Sequence, residues 1–167
     1  GDPDRVAAYD DLLAEHADHW LVREIRLYWK RVMKRIDLTS RSLFALVTPG
    51  SCYVGFLAEI LFAVDRSYML DGVFEDDDDP LPAAEIQLTA VSAGSMPMAN
   101  GLTRVQSRFW GDDAAVEAAV GAIGSSVVAS KALELGLVTF APDDLDWDDE
   151  VRLAVEERAS YSPDALT

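Results

Sequence analysis

TPGSCYVGFLAEILFAVDRSYML, residues 48–70, is the stretch whose reading decides the fold. A strand-like run, Ser42 to Val47, leads into it. The chain then turns through Pro49, Gly50 and Gly55 and enters a short apolar helix whose single carboxylate is Glu59. A second strand-like run, Arg66 to Leu70, follows at once. An acid kept in apolar surroundings beside a glycine-containing loop is costly unless something uses it. Strand, loop, helix and strand in this order predict an α/β architecture.

Upstream, Asp4 to about Ile36 reads as helix, with Pro3 in its first turn and a break near His16 to Asp18 able to split it in two. Leu21, Ile25, Tyr28, Trp29, Val32 and Ile36 recur at helical spacing and predict one apolar stripe. The other face carries Arg23, Arg26, Lys30, Arg31, Lys34 and Arg35, six of the fourteen cations. Such a face is either solvated, turned to a subunit, or a landing surface for a polyanion such as a nucleotide phosphate. The near-continuous apolar run 42–47 predicts a strand covered on both faces.

Downstream, the acidic tract 75–79 with Pro80 and Pro82 predicts an exposed loop, because adjacent carboxylates repel and proline breaks regular structure. Glu85 to Val91 alternates as a strand does, and Gly94 to Gly101 reads as a turn. Helices are predicted over 102–110, from an Asp112-Asp113 cap to about Ile123, over Ser130 to Leu135 up to Gly136, and over Asp144 to Ala159, with Pro163 beyond. Leu137 to Phe140 reads as a short strand. No repeat or linker divides the 167 residues, so one domain is expected.

Thirty acids against fourteen bases, a net charge of −16, argue against nucleic acid or an anionic membrane as partner. No apolar run is long enough to span a bilayer. A single cysteine, Cys52, excludes an internal disulfide and a multi-Cys metal site, and fits a reducing cytoplasm. His16 and His19 lack an evident third ligand, so no metal is expected. There is no P-loop and no dinucleotide fingerprint. Gly50 to Gly55 is one residue too long for a nucleophile elbow around Cys52, and neither histidine lies near it in sequence. What survives is a loop whose free backbone N–H at Phe56 could polarise a carbonyl oxygen, with Glu59 one turn further on as general acid or base.

Gly55, Glu59, Asp65, Gly94, Pro97, Gly101 and Gly136-Leu137-Val138 stand in an order that resembles the enoyl-CoA hydratase (crotonase) superfamily. Four blocks narrow this: SRSLFALVTPGSC (40–52), DRSYMLD (65–71), PMANGLTRVQSRF (97–109) and the stretch from Gly136 to Thr167. They resemble the branch that opens the ring of a benzoyl-CoA epoxide or dihydrodiol in aerobic benzoate breakdown, with enoyl-CoA hydratase or isomerase activity as the alternative. A third reading is a non-catalytic crotonase-like interface subunit.

The resemblance implies a ClpP/crotonase fold, here without its N-terminal strands and C-terminal helices. It implies an acyl-CoA substrate, no cofactor beyond the coenzyme A the substrate carries, no metal, and a homo-oligomer. It makes Glu59 the general acid or base, and Phe56 N–H an oxyanion donor within a substrate loop that includes Gly55 and Cys52. Four residues before Gly94, where hydratases carry a second Glu, this chain has Ala90; Glu85 substitutes only if the register shifts.

Overall fold

The computed structural model describes residues 1–74, 79, 81–162 and 164. The expected acidic loop therefore lies outside the described residues except for an exposed Asp79, as do Pro163 and residues 165–167 of the last block. Helix α1 (Pro3–Glu15) starts at an Asp2 cap and stops at His16; α2 (Trp20–Asp37) begins again at His19, whose imidazole accepts the Leu21 N–H. The anticipated break thus separates two helices, and His19 serves as a cap. Among the described residues no group of three or more His, Cys, Asp or Glu could hold a metal ion.

Two small sheets follow. Strand β1 (Phe44–Val47) pairs in parallel with β3 (Arg66–Met69), Phe44 opposite Arg66. Strand β2 (Tyr53–Val54) pairs in parallel with β4 (Ile86–Gln87), which pairs antiparallel with β5 (Ser126–Val127). Between β2 and β3 the chain makes one 3₁₀ turn, Gly55–Leu57, and the short helix α3 (Ala58–Ala63). After β4 come α4 (Arg104–Arg108), α5 (Asp113–Gly121), α6 (Ala129–Glu134) and α7 (Asp144–Ala159). Ala45, Val47, Leu61, Met69, Ile86, Leu88, Val127 and Leu137 belong to one core that joins the two sheets to α3. No helix among the described residues is long and apolar enough to cross a membrane.

Several expectations shift. The strand expected over 85–91 ends at Gln87, because the Thr89 hydroxyl accepts the Val91 N–H and caps a 3₁₀ turn over Ala90–Ala93. Leu137 to Phe140 forms only a bridge, Phe140 to Tyr68, although Thr139 and Phe140 both donate backbone N–H groups to the Ser67 carbonyl. Strand β1 is covered on one face only, since Leu46 is exposed while Ala45 and Val47 are buried. The inward face of α2 carries Trp29, Met33 and Ile36; Leu21 and Tyr28, expected in the stripe, face outward, Tyr28 at 60% exposure. At 3.6 residues per turn, Ile25, Trp29, Met33 and Ile36 make a narrower seam than the full set.

Candidate functional site

The single buried carboxylate of α3 meets a cation from far along the chain. Glu59 Oε2 accepts a hydrogen bond from Arg104 Nη1 at 2.8 Å. Arg104 also sends a two-pronged pair to Asp37, Nε to Oδ1 and Nη2 to Oδ2, each at 2.8 Å, and a bond from Nη1 to the Met96 carbonyl at 2.9 Å. Glu59 and Arg104 are each about 1% exposed, so one guanidinium ties the end of α2, the start of α3 and the start of α4 together in the interior. Asp37 is the last residue of α2, and Arg104 follows the Thr103 cap, whose box with Gln106 fixes the entry to α4. The planar fork suits two carboxylates at once as an ammonium cannot.

Burial pushes the Glu59 carboxyl above its ordinary range, opposed by the Arg104 hydrogen bond and charge, with the nearby Asp37 adding to the rise. Ser92 lies close enough to lower it somewhat, but short of hydrogen-bond geometry; Glu59 Oε1 and Ser92 Oγ are both buried without a partner. A carboxyl with one anchored and one unpartnered oxygen is able to exchange a proton if a reacting atom can reach it.

A second buried carboxylate lies at the glycine turn. Asp10, on α1 and 6% exposed, places Oδ2 at 3.0 Å from the Phe56 backbone N and 3.1 Å from Thr89 Oγ1. The Thr89 oxygen already accepts the Val91 N–H, so its proton is free to point at Asp10. Gly55 has φ +54°, and a Cβ there would fall on Asp10 Oδ2. Glycine is therefore required twice, by the backbone conformation and by the approach of the carboxylate. Burial raises the Asp10 carboxyl above its usual range; the Thr89 and Phe56 hydrogen bonds pull it back, and Asp11 pushes it up. The Phe56 ring turns away from its own N–H into a cluster with Tyr9 and Trp29, their centroids 5.8 and 4.5 Å from its own.

Asp10 and Thr89 line a cavity of about 260 Å³ together with Asp11, Leu13, Ala14, Arg26, Ala90, Val91, Ser95 and Met96. Of the residues singled out from sequence, Ala90 lies on this wall and Phe56 presents its N–H to an oxygen of Asp10, another wall residue. Glu59 is not among the lining residues; it sits behind Met96, whose carbonyl shares its arginine. Glu85 is exposed just ahead of β4 and is not among the residues that line this cavity. Cys52 is half-buried in the turn before β2, its thiol pushed up chiefly by burial, and it is not on the wall.

Over its whole length the chain is 47% identical to benzoyl-CoA-dihydrodiol lyase of Aromatoleum evansii, and it spans 29% of that relative's length. No family model matches it. Among solved structures, AtuE of Pseudomonas aeruginosa matches 95% of this chain and 55% of its own, with a TM-score of 0.65 at 20% identity. An enoyl-CoA hydratase from Bacillus anthracis matches 87% and 50%, with a TM-score of 0.60 at 19% identity. The chain has the crotonase fold. What it matches is about half of each of those two chains.

Within this crotonase-type unit, three features of the site escaped the sequence reading. Asp10, Thr89 and Arg104 come from α1, the cap of the 3₁₀ turn after β4, and α4, and the bonds that build the site span 45 to 79 residues: Arg104 to Glu59 at 45, Asp10 to Phe56 at 46 and Asp10 to Thr89 at 79. Only Arg104 left a trace, being a lone cation amid the apolar positions Leu102 and Val105.

Proposed function

We propose that this chain is part of an acyl-CoA ring-opening lyase or hydrolase acting on an epoxide or dihydrodiol of benzoyl-CoA. The observation that carries the reading is 47% identity along the full chain to a benzoyl-CoA-dihydrodiol lyase. Coenzyme A enters as part of the substrate, with no separate cofactor. The enzyme works in the cytoplasm as a homo-oligomer. Phe56 N–H serves as an oxyanion donor and Glu59 moves a proton; what supports Glu59 is its unpartnered Oε1 and a carboxyl held up by burial.

In the enzyme that contains this chain, Glu59→Gln should lower turnover by roughly two orders of magnitude while acyl-CoA binding persists. Near-normal turnover would remove Glu59 from the mechanism. Turnover of an epoxybenzoyl-CoA against crotonyl-CoA separates the ring-opening reading from plain enoyl-CoA hydration.

A second reading is favoured by a specific arrangement. Arg104 neutralises Glu59, Asp10 takes the Phe56 N–H, and Ala90 stands where a second acid is expected. On this reading the chain is a non-catalytic crotonase-like unit that contributes an interface, with the basic face of α2 as contact surface. Calorimetry of benzoyl-CoA binding decides between the two: no heat of binding supports the interface unit.

A further inference from the structure

Arg108, the last residue of α4, carries a charge that no acid among the described residues answers. Its Nε donates to the Gly136 carbonyl, just past the end of α6, at 2.6 Å. That bond suits a cation at a helix C-terminus and holds the guanidinium in place, but it uses only one donor of the fork. Among the described residues, no hydrogen bond or ion pair takes up Nη1 or Nη2. Burial pushes the group below its ordinary pKa, and no neighbouring carboxylate opposes the shift. A half-buried cation without a partner is costly, and this one stands unpaired in a chain of net charge −16.

Arg108 lines a cavity of about 210 Å³, with Asp37, Arg104 and Ser107 as its other polar residues and Phe62, Val64 and Met98 among the apolar ones. This cavity shares no lining residue with the one at Asp10. Its two remaining charges answer each other, since each Asp37 oxygen accepts a hydrogen bond from Arg104. Arg108 is therefore the charge on this wall that is left over. The space is ample, because a water needs only about 15 Å³.

We propose that the cavity between the ends of α2, α3 and α4 is a binding site for a small free oxyanion, held by the Nη1–Nη2 edge of Arg108. A planar fork offers two parallel N–H groups to two oxygens of one anion, as phosphate and carboxylate present them. The Nε bond to Gly136 fixes the fork beforehand, so little side-chain freedom is lost on binding. Asp37 does not compete for Arg108, because Arg104 already takes both of its oxygens. The site stands apart from the reaction proposed above and does not rest on it.

The test uses the enzyme that contains this chain. Sodium phosphate is titrated by calorimetry, with ionic strength held constant by sodium chloride, into wild type, Arg108→Gln and Lys131→Met, each checked for folding by circular dichroism. Wild type should bind phosphate. Arg108→Gln, which keeps an amide donor but no charge, should bind it at least about tenfold more weakly, the loss of a charge-assisted pair. Lys131→Met removes an exposed cation elsewhere and should bind as wild type does. No binding to wild type, equal affinity in Arg108→Gln, or an equal loss in Lys131→Met overturns the proposal. A second measurement needs no variant to fold. Phenylglyoxal labels accessible arginines, and mass spectrometry reads each one separately. Phosphate should slow labelling of Arg108 several-fold in wild type, while the exposed Arg23 on α2 labels as it does in chloride. Equal slowing at the two arginines, or none at Arg108, refutes the site.

Discussion

Replacing Arg104 by Met tests whether the interior is held by one shared cation. The methionine fills much of the same volume and keeps α4 helical, so the change is chiefly one of charge and hydrogen bonding. It removes two hydrogen bonds to Asp37, one to Glu59 and one to the Met96 carbonyl, all between 2.8 and 2.9 Å. It also strands two carboxylates whose side chains are 2% exposed. Breaking a buried pair by deleting one partner costs about 3–5 kcal/mol, because the charge left behind is uncompensated. For a chain of this length that loss should lower the melting temperature by roughly 6–20 °C.

The penalty also has a pH signature. Burial holds Glu59 above its ordinary range even with Arg104 beside it. Without the arginine the opposing influence is gone and the folded value climbs further. A carboxyl whose folded pKa lies above its unfolded one favours folding below the unfolded value and loses that contribution as pH rises through the folded one. The variant should therefore be most destabilised at neutral pH and recover toward about pH 4 relative to wild type. Urea unfolding followed by circular dichroism across this range measures both effects. A loss under about 1 kcal/mol at neutral pH, the size of an exposed ion pair, or a penalty independent of pH, would refute the reasoning. Adding Glu59→Leu to Arg104→Met should restore part of the stability, since a stranded charge is removed with it.

Asp10→Asn should gain stability relative to wild type as pH rises from about 4 to 7, because the carboxyl it replaces has a folded pKa raised above the unfolded value. Urea midpoints at the two ends of that range give the sign, and a constant difference would contradict it. Gly55→Ala should destabilise by about 1–3 kcal/mol, from the positive φ and from collision with Asp10; thermal unfolding reads it, and Asp10→Ala should relieve the collision but leave the backbone cost. Thr103→Ala removes the α4 capping box and should cost about 1 kcal/mol by the same measurement.

What the sequence determined by itself was the order of elements and the local chemistry of the turn. A glycine turn, a short helix with one acid and a strand all fall within residues 48–70, so spacing and burial pattern suffice to read them. Helix α7 is found over Asp144–Ala159 as expected, and α5 opens on an Asp112 cap, because caps and periodicity are local. Strands β2 and β5 went unread: two residues carry no periodicity, and such strands exist only through the partners they meet.

The tertiary structure alone decided what Glu59 and Phe56 face. Along the chain, Glu59 is simply an acid one turn into a helix, and nothing local distinguishes an acid open to a substrate from one clamped by a distant arginine. Folding brings Arg104 and Asp37 to it and turns Asp10 onto the Phe56 N–H, across 45 and 46 residues. Those contacts form because a buried charge or N–H must find a partner, and which partner is nearest depends on how α1, α2 and α4 pack around the turn. The stretch 48–70 therefore named the groups of the site, and the packing of three helices set which of them are free.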